Sequence, residues 1–126
     1  MKGFGEVKFA KLKKKSKTEE NKVAIKILKN LKTKQKLNNL NEVNCLRLLE
    51  NENIVKMICC FENKEKIYIV TEFLEGGSLK QACENFKFNE DHIAYISKQI
   101  LSGLSFMHQN NFIHRYFLFL FYLFFI

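Results

Sequence analysis

The order of apolar and polar positions divides the chain into short strands followed by helices. Val7-Lys8-Phe9-Ala10-Lys11-Leu12 alternates apolar with polar, the pattern of a half-buried strand. Residues 13–21 are polar and charged and read as a hairpin loop, and Lys22 to Leu28 reads as the returning strand. From about Lys32 to Glu50, Leu37, Leu40, Val43, Leu46 and Leu49 recur every three residues, which predicts an amphipathic helix ended by Asn51-Glu52-Asn53. Ile54–Phe61 and Lys66–Phe73 are rich in β-branched and aromatic residues. The charged turn Glu62-Asn63-Lys64-Glu65 separates them, as in a second hairpin. Gly76-Gly77 breaks the chain, and Ser78 is placed to cap a short helix through about Glu84. Asn89 or Asp91 can cap the next helix, whose apolar positions Ile93, Ile96, Ile100, Leu101, Leu104 and Met107 follow a 3.6-residue period up to Asn110-Asn111. The order strand, strand, helix, strand, strand, linker, helix, helix predicts an α+β class: a mostly antiparallel sheet carrying one helix, then a helical segment.

Length and composition narrow the partners more than the fold. A chain of 126 residues, 47% hydrophobic and 27% charged, suits one modest globular domain. The net charge of +8 raises the question of nucleic acid or acidic lipid. Its lysines are dispersed, however, over the first loop (Lys13, Lys14, Lys15, Lys17) and the start of the first helix (Lys29, Lys32, Lys34, Lys36). No aromatic residues interleave with them to stack bases, so no nucleic-acid partner is expected. Cys45, Cys59, Cys60 and Cys83 form no CxxC pair, and His92, His108 and His114 are not spaced as zinc partners. Buried or half-buried free thiols in a reducing compartment are the expectation, with His108 as a packing residue of the long helix. Met1-Lys2-Gly3-Phe4 begins no apolar leader, which points to the cytoplasm. There is no proline, and Lys, Asn, Phe and Ile, all with A/T-rich codons, are abundant.

Five stretches carry candidate chemistry. Gly3 and Gly5, ahead of Val7, sit in a turn whose bare backbone could approach phosphate oxygens closely. Taken alone they read better as a surface turn. Val23-Ala24-Ile25-Lys26 ends on a lysine projecting from a strand, and Glu42 is a single acid well placed on the following helix. Taken alone these read better as an unpaired surface lysine and glutamate. Ile67-Tyr68-Ile69-Val70-Thr71-Glu72-Phe73-Leu74 runs into Glu75-Gly76-Gly77-Ser78-Leu79, and Phe112-Ile113-His114-Arg115 follows the long helix.

Together, in this order and spacing, these stretches resemble the first half of a eukaryotic protein kinase domain. The resemblance implies a partial kinase domain over 1–115, with a small lobe at 1–71, a hinge at 72–77 and the start of the large lobe at 78–115. Residues 116–126 form an apolar tail outside the family pattern. In the glycine-rich loop of the family, Gly5 matches the last glycine and Lys2 falls where the second would stand. Lys26 matches the lysine that pairs with the α- and β-phosphates of ATP and with an acid on the next helix. Glu42 matches that acid, in Glu42-Val43-Asn44-Cys45-Leu46. Val7 and Ala24 would line the adenine pocket, and Thr71 takes the gatekeeper position. The Glu72 carbonyl and Leu74 N–H would meet the adenine edge, and Ser78 would meet the ribose. Leu46, Met57 and His114 match positions of a stacked hydrophobic spine. Glu75-Gly76-Gly77-Ser78-Leu79 and Phe88-Asn89-Glu90-Asp91-His92-Ile93-Ala94 resemble the sterile-20-like and MAP-kinase-kinase-kinase group of Ser/Thr kinases. The implied partners are ATP, with Mg2+ in the parent family, and a protein substrate or partner kinase.

The pattern breaks directly after Arg115. The family continues H-R-D-[LI]-K-x-x-N, whereas this chain reads His114-Arg115-Tyr116-Phe117-Leu118-Phe119-Leu120-Phe121. Tyr116 replaces the aspartate that accepts the substrate proton, and the lysine and metal-binding asparagine are absent. Loss of a positioned general base alone costs on the order of 10²–10⁴ in rate, and loss of metal ligands removes charge neutralisation. His114 and Arg115 are then remnants of a catalytic loop, and no kinase activity is expected. The tail Tyr116–Ile126 contains only Phe, Leu, Tyr and Ile, all with T-rich codons. As a helix it would reach about 16 Å against about 30 Å of bilayer core, so no transmembrane segment is expected. Two other readings stand beside the kinase-like fragment. One is a non-catalytic module that docks on a partner kinase, and the other is a truncated gene product with no function.

Overall fold

A computed structural model describes residues 6–12, 21–29 and 32–113. Its elements are β1 (Glu6–Leu12), β2 (Asn21–Lys29), α1 (Thr33–Leu48), β3 (Met57–Asn63), β4 (Lys66–Glu72), α2 (Leu79–Asn85) and α3 (Glu90–Gln109). The expected α+β class is borne out. The loop at 13–20, Gly3, Gly5, His114, Arg115 and the tail 116–126 lie outside the described residues.

The chain forms two compact units. The first runs to Leu48 and adds Lys56–Phe73, and the second joins Leu49–Val55 to the chain from Leu74 onward. The first holds a four-stranded antiparallel sheet in the order β1-β2-β4-β3. Its core lies in the two central strands, where Val23 and Leu28 of β2 and Ile69 and Val70 of β4 are buried. Strands buried this way need apolar, β-branched residues, and Val23-Ala24-Ile25 and Ile67–Thr71 supply them. The edge strands differ. Val7 is 65% exposed and Phe9 52%, so β1 is an exposed edge rather than the half-buried strand that alternation predicts. Alternation reports two chemically distinct faces. It does not report whether anything covers the apolar one.

β3 begins at Met57, not at Ile54. Asn51–Asn53 make a turn closed by the Ile54 N–H on the Asn51 carbonyl (3.0 Å), and Ile54 is buried there by loop packing. A register shift between Met57 and Cys59 bulges the strand around Ile58. The β3–β4 hairpin is tighter than its charged sequence suggests: Asn63 pairs with Lys66, leaving Lys64 (φ 44°) and Glu65 (φ 58°) as the turn. Two successive positive φ values mark a type I′ turn, whose twist matches that of the flanking strands.

Helix α1 forms where predicted, but its leucines do not make one stripe. Leu37 and Leu40 are more than half exposed, Val43 and Leu46 are half-buried, and Leu49 is buried just past the helix end. A strict three-residue recurrence falls about 60° short of a full turn at each step, so it spirals around a helix of 3.6 residues per turn. The position that goes inside is Asn39, whose Nδ2 donates to the Lys29 carbonyl at 2.9 Å and ties α1 to the end of β2. The thiols meet the expectation at Cys45 and depart from it elsewhere. Cys45 is half-buried, while Cys59 and Cys60 on the edge strand and Cys83 on α2 are exposed.

In the second unit the caps are as read from the sequence. Ser78 caps α2 and Asn89 caps α3, each in a reciprocal capping box with the third helical residue, Gln81 and His92. Asn110, followed by Asn111 at φ 62°, ends α3. Ile100, Leu104 and Met107 are buried, Ile96 packs on the first two, and Ile93 and Leu101 stay exposed. His108 is exposed rather than packed: it stands about 100° around the helix from the buried Met107, at the edge of the buried stripe. Gly103 lets α3 approach the 51–54 turn closely. A Cβ at that position would lie 3.2 Å from both the Asn53 Cβ and the Asn53 carbonyl oxygen. Among the described residues no helix is long and apolar enough to cross a membrane.

Candidate functional site

Strand register gathers Val7, Ala24, Lys26 and Thr71 on one sheet face. Side chains alternate along each strand, so Ala24 and Lys26 share a face. Val7 lies opposite Lys26, and Thr71 lies opposite Ala24. Phe9 (opposite Ala24), Ile69 (opposite Lys26) and Met57 (opposite Thr71) complete that face. Phe9 extends it by an edge-to-face contact with Phe73, ring centroids 5.0 Å apart. The face therefore presents an apolar patch with lysines along it: Lys11 and Lys22 towards one end and, beside Val7 and Ile69, the Lys26 cation.

That cation is held. Lys26 Nζ donates to Glu42 Oε1, joining the centre of the sheet to α1 across 16 positions of sequence. The two side chains are 24% and 31% exposed, so the ammonium is partly desolvated yet still reachable from solvent. A lysine anchored in this way offers a fixed positive charge to an anionic group on the Val7–Ala24–Thr71 face. Cys45, one turn along α1 from Glu42, feels the same surroundings. Burial first, and then the Glu42 carboxylate, raise its thiol pKa above the ordinary value.

At the end of β4 the Thr71 hydroxyl donates to the Glu72 carbonyl at 3.1 Å. The Glu72 N–H donates to the Lys56 carbonyl at 3.0 Å, and the Glu72 carboxylate accepts the Lys56 N–H at 2.6 Å. The exit of β4 is thus bonded to the entry of β3 through both backbone and side chain. The sequence reading missed this carboxylate contact, because the resemblance assigns only the Glu72 backbone. It also missed Asn39, although the pair Asn38-Asn39 between Leu37 and Leu40 in a helix interior competes for backbone groups and is a usable signal.

Leu74 and Ser78 belong to the second unit and are half-buried. The Ser78 hydroxyl is committed to capping, accepting from Gln81 N–H at 3.2 Å and lying 2.9 Å from Gln81 Oε1. Gly3, Gly5, His114 and Arg115 are outside the described residues. Among the described residues no three His, Cys, Asp or Glu side chains converge as a metal site would.

Comparison with known proteins identifies the family. The family of protein tyrosine and serine/threonine kinases matches residues 2–118. "Probable serine/threonine-protein kinase mkcB" of Dictyostelium discoideum is 40% identical over 114 residues, covering 90% of this chain and 15% of that protein. The related "Probable serine/threonine-protein kinase mkcD" of the same organism is 39% identical over 115 residues, 90% of this chain and 18% of that protein. "Calcium-dependent protein kinase 4" of Plasmodium berghei is 35% identical over 116 residues, 89% of this chain and 21% of that protein. The chain thus spans only a small part of the length of these relatives. With a matching family over nearly its whole length and an antiparallel sheet tied to α1 by a Lys–Glu pair, this chain belongs to the protein tyrosine and serine/threonine kinase family.

Proposed function

We propose that the chain carries the small-lobe half of an ATP site of the Ser/Thr type and does not transfer phosphate. The observation that carries this is the Lys26–Glu42 pair standing beside Val7, Ala24 and Thr71 on one sheet face. In this reading Lys26 opposes the α- and β-phosphates, Glu42 fixes its position, and Val7 and Ala24 cover the adenine. Thr71 limits the depth of the pocket, the Glu72 carbonyl and Leu74 N–H bind the adenine edge, and Ser78 meets the ribose. Gly3 and Gly5 are assigned to the phosphate loop on the sequence alone. The Ser/Thr class is supported by the names of the relatives, and the sterile-20-like or MAP-kinase-kinase-kinase group by Glu75-Gly76-Gly77-Ser78-Leu79. ATP with Mg2+ is the nucleotide the family uses. The lack of transfer rests on Tyr116 and Phe121, which stand where the family has its proton-accepting aspartate and its metal-binding asparagine. The cytoplasm is the compartment this reading implies, and the free cysteines support it.

Titration with an environment-sensitive fluorescent ATP analogue tests the reading. Lys26→Met keeps the length of the apolar stem and removes the charge. Affinity should fall about tenfold, the scale of one charge-assisted contact. An unchanged affinity would remove Lys26 from the site and the reading with it.

A further inference from the structure

The Glu72 side chain has no part in the family roles set out above, yet it makes a short hydrogen bond at the β4 exit. Its carboxylate accepts the Lys56 N–H at 2.6 Å, while its own N–H donates to the Lys56 carbonyl at 3.0 Å. One residue thereby closes a ring with a single residue of the facing chain segment. The Thr71 hydroxyl adds a third bond, to the Glu72 carbonyl at 3.1 Å. A carbonyl oxygen has two lone pairs, so this bond leaves one for a ligand and restrains the direction of the group.

The location makes the ring consequential. Val23 pairs with Glu72 and Ala24 with Thr71, so the braced peptide adjoins the strand position proposed to cover the base. On the other side, the ring holds Lys56 directly ahead of Met57 and the bulge at Ile58. An irregular register at that point removes part of the ordinary ladder, and a side-chain acceptor supplies a fixed bond in its place. A peptide whose carbonyl must point at a ligand gains affinity when its orientation is set beforehand, because less ordering remains to be done on binding.

We propose that Glu72 is a positioning residue: its carboxylate, bonded to the Lys56 amide, fixes the β4 exit and so sets the affinity for the adenine of ATP. The inference rests on the nucleotide-binding reading above and adds a determinant to it. Glu72 acts through the backbone and need not touch the nucleotide.

The test uses the full chain with Glu72→Ala and Glu72→Gln, neither of which removes the backbone carbonyl. Amide hydrogen exchange at Lys56, measured without nucleotide, reports the brace, and titration with ATP reports its effect. Glu72→Ala should speed exchange at Lys56 at least tenfold and weaken ATP binding about three- to tenfold. Glu72→Gln, which retains a carbonyl acceptor, should restore most of both. Unchanged exchange at Lys56 in the alanine variant would overturn the brace. Faster exchange with unchanged ATP affinity would overturn its effect on binding. If the unmutated chain binds no ATP, the nucleotide-binding reading fails and takes the affinity effect with it, while exchange at Lys56 still decides the brace separately.

Discussion

At the residue scale the Lys26–Glu42 contact organises the site, and its surroundings give it a chemical signature. Cys45 sits one turn from Glu42 on α1, and its thiol is pushed up by burial and by that carboxylate. Cys60 is pushed up as well, by burial first and then by Cys59 and Glu62. A raised thiol pKa leaves less thiolate at a given pH, and thiolate is the species that reacts. At pH 8, alkylation by iodoacetamide should therefore lag at Cys45. Glu42→Gln removes the electrostatic part and should speed Cys45 several-fold while leaving Cys60 unaffected, as read by peptide mass spectrometry. Equal acceleration at both cysteines would mean general loosening and not a local charge effect. Lys26 and Glu42 were legible in the sequence because both stand in multi-residue patterns at the right separation. The Glu72 carboxylate was not legible, since its partner is a backbone amide that any residue at position 56 other than proline would supply.

At the scale of elements, sequence reading succeeded where the signal is local and failed where it depends on neighbours. Ser78 was identified as a cap, and Asn89 as one of two candidates with Asp91, because capping is settled within four residues of chain. The exposure of Val7, Phe9, Leu37 and Leu40 was not, because burial depends on what lies across from a side chain. Two substitutions test this account. Lys64 and Glu65 occupy a type I′ turn at positive φ, which costs non-glycine residues energy that Asn-Gly avoids. Lys64→Asn with Glu65→Gly should stabilise the protein by up to about 1 kcal/mol, seen as a higher urea midpoint at unchanged slope. Gly103→Ala tests the α3 contact in the opposite direction. Helix propensity alone favours alanine by about 0.5–1 kcal/mol. The Asn53 carbonyl oxygen, 3.2 Å from the added Cβ, is backbone and cannot swing aside, and crowding of this kind costs about 1–3 kcal/mol. A net loss of about 1 kcal/mol is expected in thermal or urea unfolding, and a gain would show that α3 does not press on the 51–54 turn.

At the scale of the whole molecule, the proposed binding and the missing transfer depend on different residues. The anchored lysine, the apolar face and the β4 exit belong to the first unit, whereas transfer in this family also depends on the residues after His114-Arg115. Tyr116 offers no carboxylate to take a proton, and Phe121 offers no oxygen to a metal ion. The family was legible because its motifs recur in fixed order along the chain. The break after Arg115 is legible as well, because it replaces chemical groups outright, and the loss of transfer that we propose from it is what activity measurements test. The most direct measurement is a calorimetric titration of the full chain with ATP and Mg2+ in the presence of a generic Ser/Thr protein substrate. A saturable binding heat that is lost with Lys26→Met, and no continuing heat after saturation, is the expected result. A steady heat of turnover, or a binding heat identical in Lys26→Met, would contradict the account.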